Sequence, residues 1–139
     1  MTLKSEERNN IISYRKERAY ATFKEAQFNA QGEFWNLVVN RLYYSVFYIC
    51  EALLLSKQIP VNTHAGVNRM MGYHFVRTGL LTIEEGKLLG KLFRMRQTGD
   101  YDDLFDWKKE EILPLFAQTE ALINKIESLI DPTITNETF

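Results

Sequence analysis

Arg96 is the residue whose position asks most of the rest of the chain. At 100° per residue, the stretch around it puts Leu88, Leu89, Leu92, Phe93 and Met95 on one arc and Lys87, Lys91 and Arg94 on the opposite side. Arg96 falls in the middle of the apolar arc. An unpaired guanidinium does not settle there, because burying an isolated charge costs far more than packing returns. Arg96 therefore has an acidic partner, or it lines a cleft that holds an anion. The residues Arg96-Gln97-Thr98-Gly99-Asp100-Tyr101-Asp102-Asp103 serve both possibilities. A helix that stops at Gly99 sends Asp100 and Tyr101 out on a turn that folds back beside Arg96. The purely structural alternative is an Arg96–Asp100 ion pair closing the helix end, with Tyr101 packed over it.

A second polar feature lies upstream. Asn40, Arg41, Tyr44, Tyr48 and Glu51 share one narrow arc of a stretch that is apolar elsewhere. Such a stripe faces a polar network, here an Arg41–Glu51 region bridged by tyrosine hydroxyls, or it faces a cavity. In the second case it forms another wall of the Arg96 cleft, with tyrosine faces for stacking and Arg41 as a bidentate phosphate ligand. His64 lies in line with Val67, Met71 and Phe75 and points inward, where a lone histidine is more often a hydrogen-bonded core residue than a catalyst. No second histidine or carboxylate stands at ligand spacing with it, so no metal site is expected. Phosphate-binding glycine loops, nucleophile elbows and zincin motifs are missing, and no cofactor is expected.

These side chains must be carried by helices, because apolar residues recur at helical spacing almost throughout and no strand alternation stands out. The spacing predicts a first helix over about Ser5–Gln31, with Ile12, Ala19, Phe23, Ala26 and Ala30 on one face and Gly32 as its stop. A second, about Glu33–Lys57, is apolar over most of its circumference and marks the centre of a bundle; Pro60 lies beyond its end. A third begins at Asn62 or Thr63 and ends at Gly79. A fourth begins at Thr82, in capping-box spacing with Glu85, and ends near Thr98. The last presents Ile112, Leu115, Phe116, Ile123, Ile126 and Ile130; Pro114 predicts that Trp107–Leu113 forms a separate turn or that the helix bends. Residues 131–139 read as a flexible tail.

The 139 residues fit one domain, with a core over about residues 5–130. Seventeen basic residues against eighteen acidic ones leave no overall field to draw in nucleic acid, so any contact with RNA is local. The lone Cys50 excludes an internal disulfide and fits a cytoplasmic setting. Met1–Asn10 lacks the apolar core of a secretory signal. Leu42–Leu55 is too short to cross a bilayer and carries Ser45 and Glu51, so no membrane segment is expected.

The runs Arg41-Leu-Tyr-Tyr-Ser-Val-Phe-Tyr, Glu51-Ala-Leu-Leu-Leu-Ser-Lys, Thr63-His64-Ala-Gly, His74-Phe-Val-Arg-Thr-Gly and Leu92-Phe-Arg-Met-Arg96-Gln, followed by Asp100-Tyr101, carry a resemblance to the small bacterial and archaeal HEPN proteins. It covers about Ala19 to Ile130. The resemblance implies an all-α, up-and-down four-helix bundle with an additional short helix, usually a homodimer with the arginine motif at or near the dimer groove. Many members are metal-independent endoribonucleases or toxins paired with a small nucleotidyltransferase antitoxin; others bind RNA or nucleotides without cleaving. Catalytic members carry Arg, four to six residues, then His, and here Tyr101 occupies the histidine position. Tyrosine, with a pKa near 10, is a poor base at neutral pH but can donate or position a proton. The resemblance thus implies Arg96, Asp100 and Tyr101 as candidate catalytic residues, and Arg41, Tyr44, Tyr48, His64 and Arg96 as candidate RNA- or nucleotide-binding residues. If the third helix lines the cleft, His64 supplies the missing imidazole. The other function to weigh is a non-catalytic helical module that partners a nucleotidyltransferase or binds nucleotides.

Overall fold

A computed structural model describes residues 4–102 and 106–130. Five α-helices follow in order: α1 (Ser5–Gln31), α2 (Trp35–Ser56), α3 (His64–Met71), α4 (Ile83–Tyr101) and α5 (Lys109–Ser128). There is no strand among the described residues. The long helices α1, α2, α4 and α5 form the bundle, and α3 is the additional short helix. The expected tail at 131–139 lies outside the described residues.

α2 packs against every other helix. Its Val38, Val39, Leu42, Ile49, Leu53 and Leu54 are fully buried, which is why its sequence is apolar on nearly all sides. By length and composition alone this 22-residue helix could cross a membrane, but most of the span is buried in the bundle, as expected of a core helix. Cys50 is buried within it, and burial pushes its thiol pKa far up, leaving an inert apolar side chain. The small faces of Ala19 and Ala26 let α1 lie close along α2, both at zero exposure.

The ends of α1 and α2 use the same device. Phe34 N–H donates to Asn29 O and Glu33 N–H to Ala30 O; Ile59 N–H donates to Leu54 O and Gln58 N–H to Leu55 O. These are paired Schellman bonds, which need a left-handed residue just past the helix. That residue is Glu33 (φ 61°) after α1 and Gln58 (φ 57°) after α2. Gly32, expected as the stop, has φ −88° and serves another purpose: a Cβ there would sit 2.5 Å from the Phe34 ring. A side chain in the left-handed region is strained, so Gln58→Gly is expected to raise stability by about 0.5–1 kcal/mol in urea melts.

α4 starts as the spacing predicts. Thr82 Oγ1 accepts from Glu85 N–H at 3.0 Å and Glu85 Oε1 accepts from Thr82 N–H at 2.7 Å, a complete capping box. The helix expected from Thr63 to Gly79 changes type partway along. Thr63 does cap it, accepting from Gly66 N–H at 2.8 Å, but after Met71 the chain widens into a π turn over Gly72–Val76. That turn sets Val76 against Gly86 of α4, where a Cβ would approach to 2.9 Å. Gly79 then reverses the chain at φ 84°. Pro114 neither breaks α5 nor follows a separate turn: it sits in the second turn of a continuous helix. Its missing N–H frees only the carbonyl of Glu110, an exposed residue that water can serve.

Candidate functional site

The largest departure from the spacing argument is at the end of α4. The helix does not stop at Gly99; it runs through Asp100 to Tyr101 and is capped at Asp102. Gly99 keeps helical geometry and is small because a Cβ would meet Trp107 Nε1 at 3.3 Å and the Asn36 side chain at 3.5 Å. Asp100 therefore reaches Arg96 across one helical turn, and the Arg96 Nη1–Asp100 Oδ2 ion pair forms at 3.6 Å. Tyr101 does not pack over that pair. It is 77% exposed at the helix end.

Arg96 itself is 8% exposed, and its Nε has no hydrogen-bond partner. Three aromatic rings enclose the guanidinium: Tyr43 at 5.0 Å, Tyr44 at 5.7 Å and Phe93 at 5.9 Å from its carbon. Cation–π attraction holds a charge that packing alone would reject. An unused donor at this depth is costly unless something polar visits it.

From α1 to α4 runs a chain of alternating charge and amide. Glu25 Oε1 accepts from Arg41 Nη1 at 3.0 Å; Arg41 Nε and Nη2 donate to Asn40 Oδ1 at 3.1 and 2.8 Å. Asn40 Nδ2 in turn donates to Asp100 Oδ2 at 3.1 Å, and Asp100 pairs with Arg96. The stripe on α2 is thus split. Arg41 is committed to Glu25 and Asn40, not bridged to Glu51, which instead pairs with Arg15 of α1 at 3.5 Å. Ten residues separate Arg41 from Glu51 along the helix, about 15 Å, which is beyond the reach of a direct pair. Tyr44 lies between the guanidinium groups of Arg41 and Arg96, and Tyr48 lies under those of Arg15 and Arg18.

His64 comes to the same place from α3. Its Nδ1 is 2.8 Å from the Tyr43 hydroxyl, and its ring stacks on Phe47 at 4.3 Å with an 11° interplanar angle. Partial burial, and then the positive field of Arg96, lower its pKa below the ordinary 6.5. The Tyr43 phenol moves the other way: burial raises its pKa despite the opposing pull of Arg96, so it stays protonated. Arg96, Asp100, Arg41, Tyr44 and His64 are brought together; Tyr48 stands one turn further along α2 toward Arg15, and Tyr101 stands apart at the helix end.

Tyr43, Phe47 and Phe93 belong to the constellation and were not expected there. Tyr43 had a signal: a tyrosine on an apolar arc needs a partner for its hydroxyl, and the inward His64 needs one for its ring. Among the described residues no group of three or more metal-ligating side chains assembles.

Comparison with known proteins matches a HEPN domain to residues 12–129. A UPF0332 protein of Thermotoga maritima is 34% identical over 125 residues, covering 90% of this chain and 95% of the relative. Two Methanocaldococcus jannaschii proteins whose names mark them as candidate toxins are each 33% identical to it. One aligns over 114 residues (82% of this chain, 78% of the relative), the other over 93 residues (67% and 63%).

Proposed function

This chain belongs to the HEPN family, and on that premise we propose that it is the RNA-acting, toxin-type member of a toxin–antitoxin or defence pair, cleaving RNA without a metal ion at Arg96. The observation that carries the reading is the nearly buried guanidinium with a spare Nε, set beside an imidazole whose pKa partial burial and Arg96 lower. With its proton on Nδ1, His64 donates to the Tyr43 oxygen and leaves Nε2 free as a base. It takes the proton of a 2′-hydroxyl; the 2′ oxygen bonds to the adjacent phosphorus, the bond to the 5′ oxygen breaks, and that oxygen is protonated by solvent. The products are a 2′,3′-cyclic phosphate and a 5′-hydroxyl. Arg96 stabilises the charge that builds on the phosphorane, and Asp100 orients Arg96. Tyr44 and Tyr48 offer faces to bases, Arg41 adds positive charge beside Tyr44, and exposed Tyr101 contacts the strand as it leaves.

The working unit in this reading is a cytoplasmic homodimer with a small nucleotidyltransferase as antitoxin, as the family resemblance implies; the toxin-like names of two archaeal relatives support the toxin part of the reading. The test is incubation of folded wild type, Arg96→Ala and His64→Ala with mixed cellular RNA in EDTA. Fragments from wild type alone support the reading; no fragments from any of the three sink it.

The relay from Glu25 to Arg96 favours a second reading, a non-catalytic module in which these charges only brace the bundle. Its signature is that Arg96→Ala lowers Tm and changes nothing in RNA binding.

A further inference from the structure

Beside His64 lies a cavity of about 250 Å³, walled by Phe47, Val61 and Val67 and edged by Glu51, Asn62 and Thr63. Its size is below the roughly 300–1,000 Å³ of pockets that take a whole drug-sized ligand. One flat heterocycle fits that scale. The chemistry at its edge is uneven. Glu51 Oε1 is buried without a hydrogen bond, since Arg15 approaches only to an ion-pair distance of 3.5 Å. Burial raises the Glu51 pKa and Arg15 draws it back. A second cavity, lined by Arg15, Leu55 and Ile59, shares Glu51 and Val61 with the first, so Glu51 borders two spaces. Its terminal torsion is soft, so the carboxylate that borders the space beside His64 is free to turn its oxygens to a ligand there.

We propose that this cavity is a base-selecting subsite, and that the base it takes is guanine, read by the Glu51 carboxylate. The inference rests on the RNA-cleaving reading above and deepens it. A carboxylate accepts only, so the best match is a base with two adjacent donors on one edge. Guanine offers N1–H and the N2 amino group side by side. Adenine and cytosine offer one amino group next to a ring acceptor that repels the carboxylate, and uracil offers one N–H flanked by two carbonyls. The Asn62 amide supplies the donor for guanine O6, and the apolar walls take the ring faces. Because His64 is part of the same cavity, the selected nucleotide is the one whose 2′-hydroxyl the imidazole serves, and cleavage falls on its 3′ side.

The test uses four labelled uridine decamers carrying G, A, C or U at the centre, measured for affinity and for the position of cleavage in EDTA. Wild type is expected to bind the G decamer about tenfold tighter than the others and to cut after the G. Glu51→Gln, which keeps the shape but sets an amide donor against the guanine donors and no longer repels the ring acceptors of adenine and cytosine, should weaken binding of the G decamer, tighten that of the A and C decamers, and abolish the preference for G. Equal binding of all four, weakened alike by Arg96→Ala, overturns the guanine subsite and leaves the RNA reading standing. Preference for another base overturns it too. Binding of none by folded wild type overturns the RNA reading and this inference with it.

Discussion

If the chain cleaves RNA as proposed, Arg96→Ala lowers the rate in EDTA by about a hundred- to a thousandfold, the loss typical when one preorganised donor to a developing oxyanion is removed. Its effect on stability should be far smaller, about 1–2 kcal/mol, from the lost contacts with Tyr43, Tyr44 and Phe93. Asp100 is not stranded, because Asn40 still donates to it and its side chain reaches solvent. The two readouts therefore separate a catalytic arginine from a bracing one. Arg96→Lys sharpens the comparison: it keeps the charge but loses the planar fork, so it should restore most of the melting temperature and little of the rate. Rate loss that tracks the fall in Tm across both variants would favour the bracing role. A stable Arg96→Ala protein that still cuts at the wild-type rate would remove Arg96 from the chemistry.

Periodicity and caps were enough to read α1, α2, the start of α4 and the buried face of α5, because each rests on interactions between residues three or four apart. The Arg96–Asp100 pair was expected on a turn after Gly99; it forms instead across one turn of a helix that continues. What could not be read depends on neighbours remote in sequence. Gly99 looks like a stop by type, yet Trp107 and Asn36 demand its smallness inside a helix. Gly32 looks like the left-handed residue, yet Glu33 takes that conformation because Phe34 folds over the glycine. Arg41 seemed to point toward Glu51 on its own helix; α1 supplied Glu25 instead, and Arg15 for Glu51. The site shows the same division. The inward direction of His64 follows from its own helix, whereas its bond to Tyr43, 21 residues earlier, is set by how α3 crosses α2.

That crossing gives the second large effect its form. If His64 is the base, kcat/KM for cleavage rises with pH and levels off, with its inflection below 6.5, because burial and Arg96 both depress the imidazole pKa. His64→Ala removes this acid limb and lowers the plateau by about a hundredfold or more. Tyr43→Phe leaves the ring in its stack on Phe47 but frees Nδ1, so the tautomer is no longer held and the plateau falls while the fold persists. Stability follows the same sign. Between the depressed native pKa and 6.5 the unfolded chain binds the proton more readily than the folded one, so stability grows as pH rises through that window and is lost as pH falls through it. In His64→Ala this part of the pH dependence disappears from the melting curves. Arg96→Ala predicts the converse: without the guanidinium field the inflection moves up toward 6.5, short of it by what burial alone retains. An inflection in the residual activity of Arg96→Ala that stays where wild type has it would show that the two residues do not share an electrostatic site.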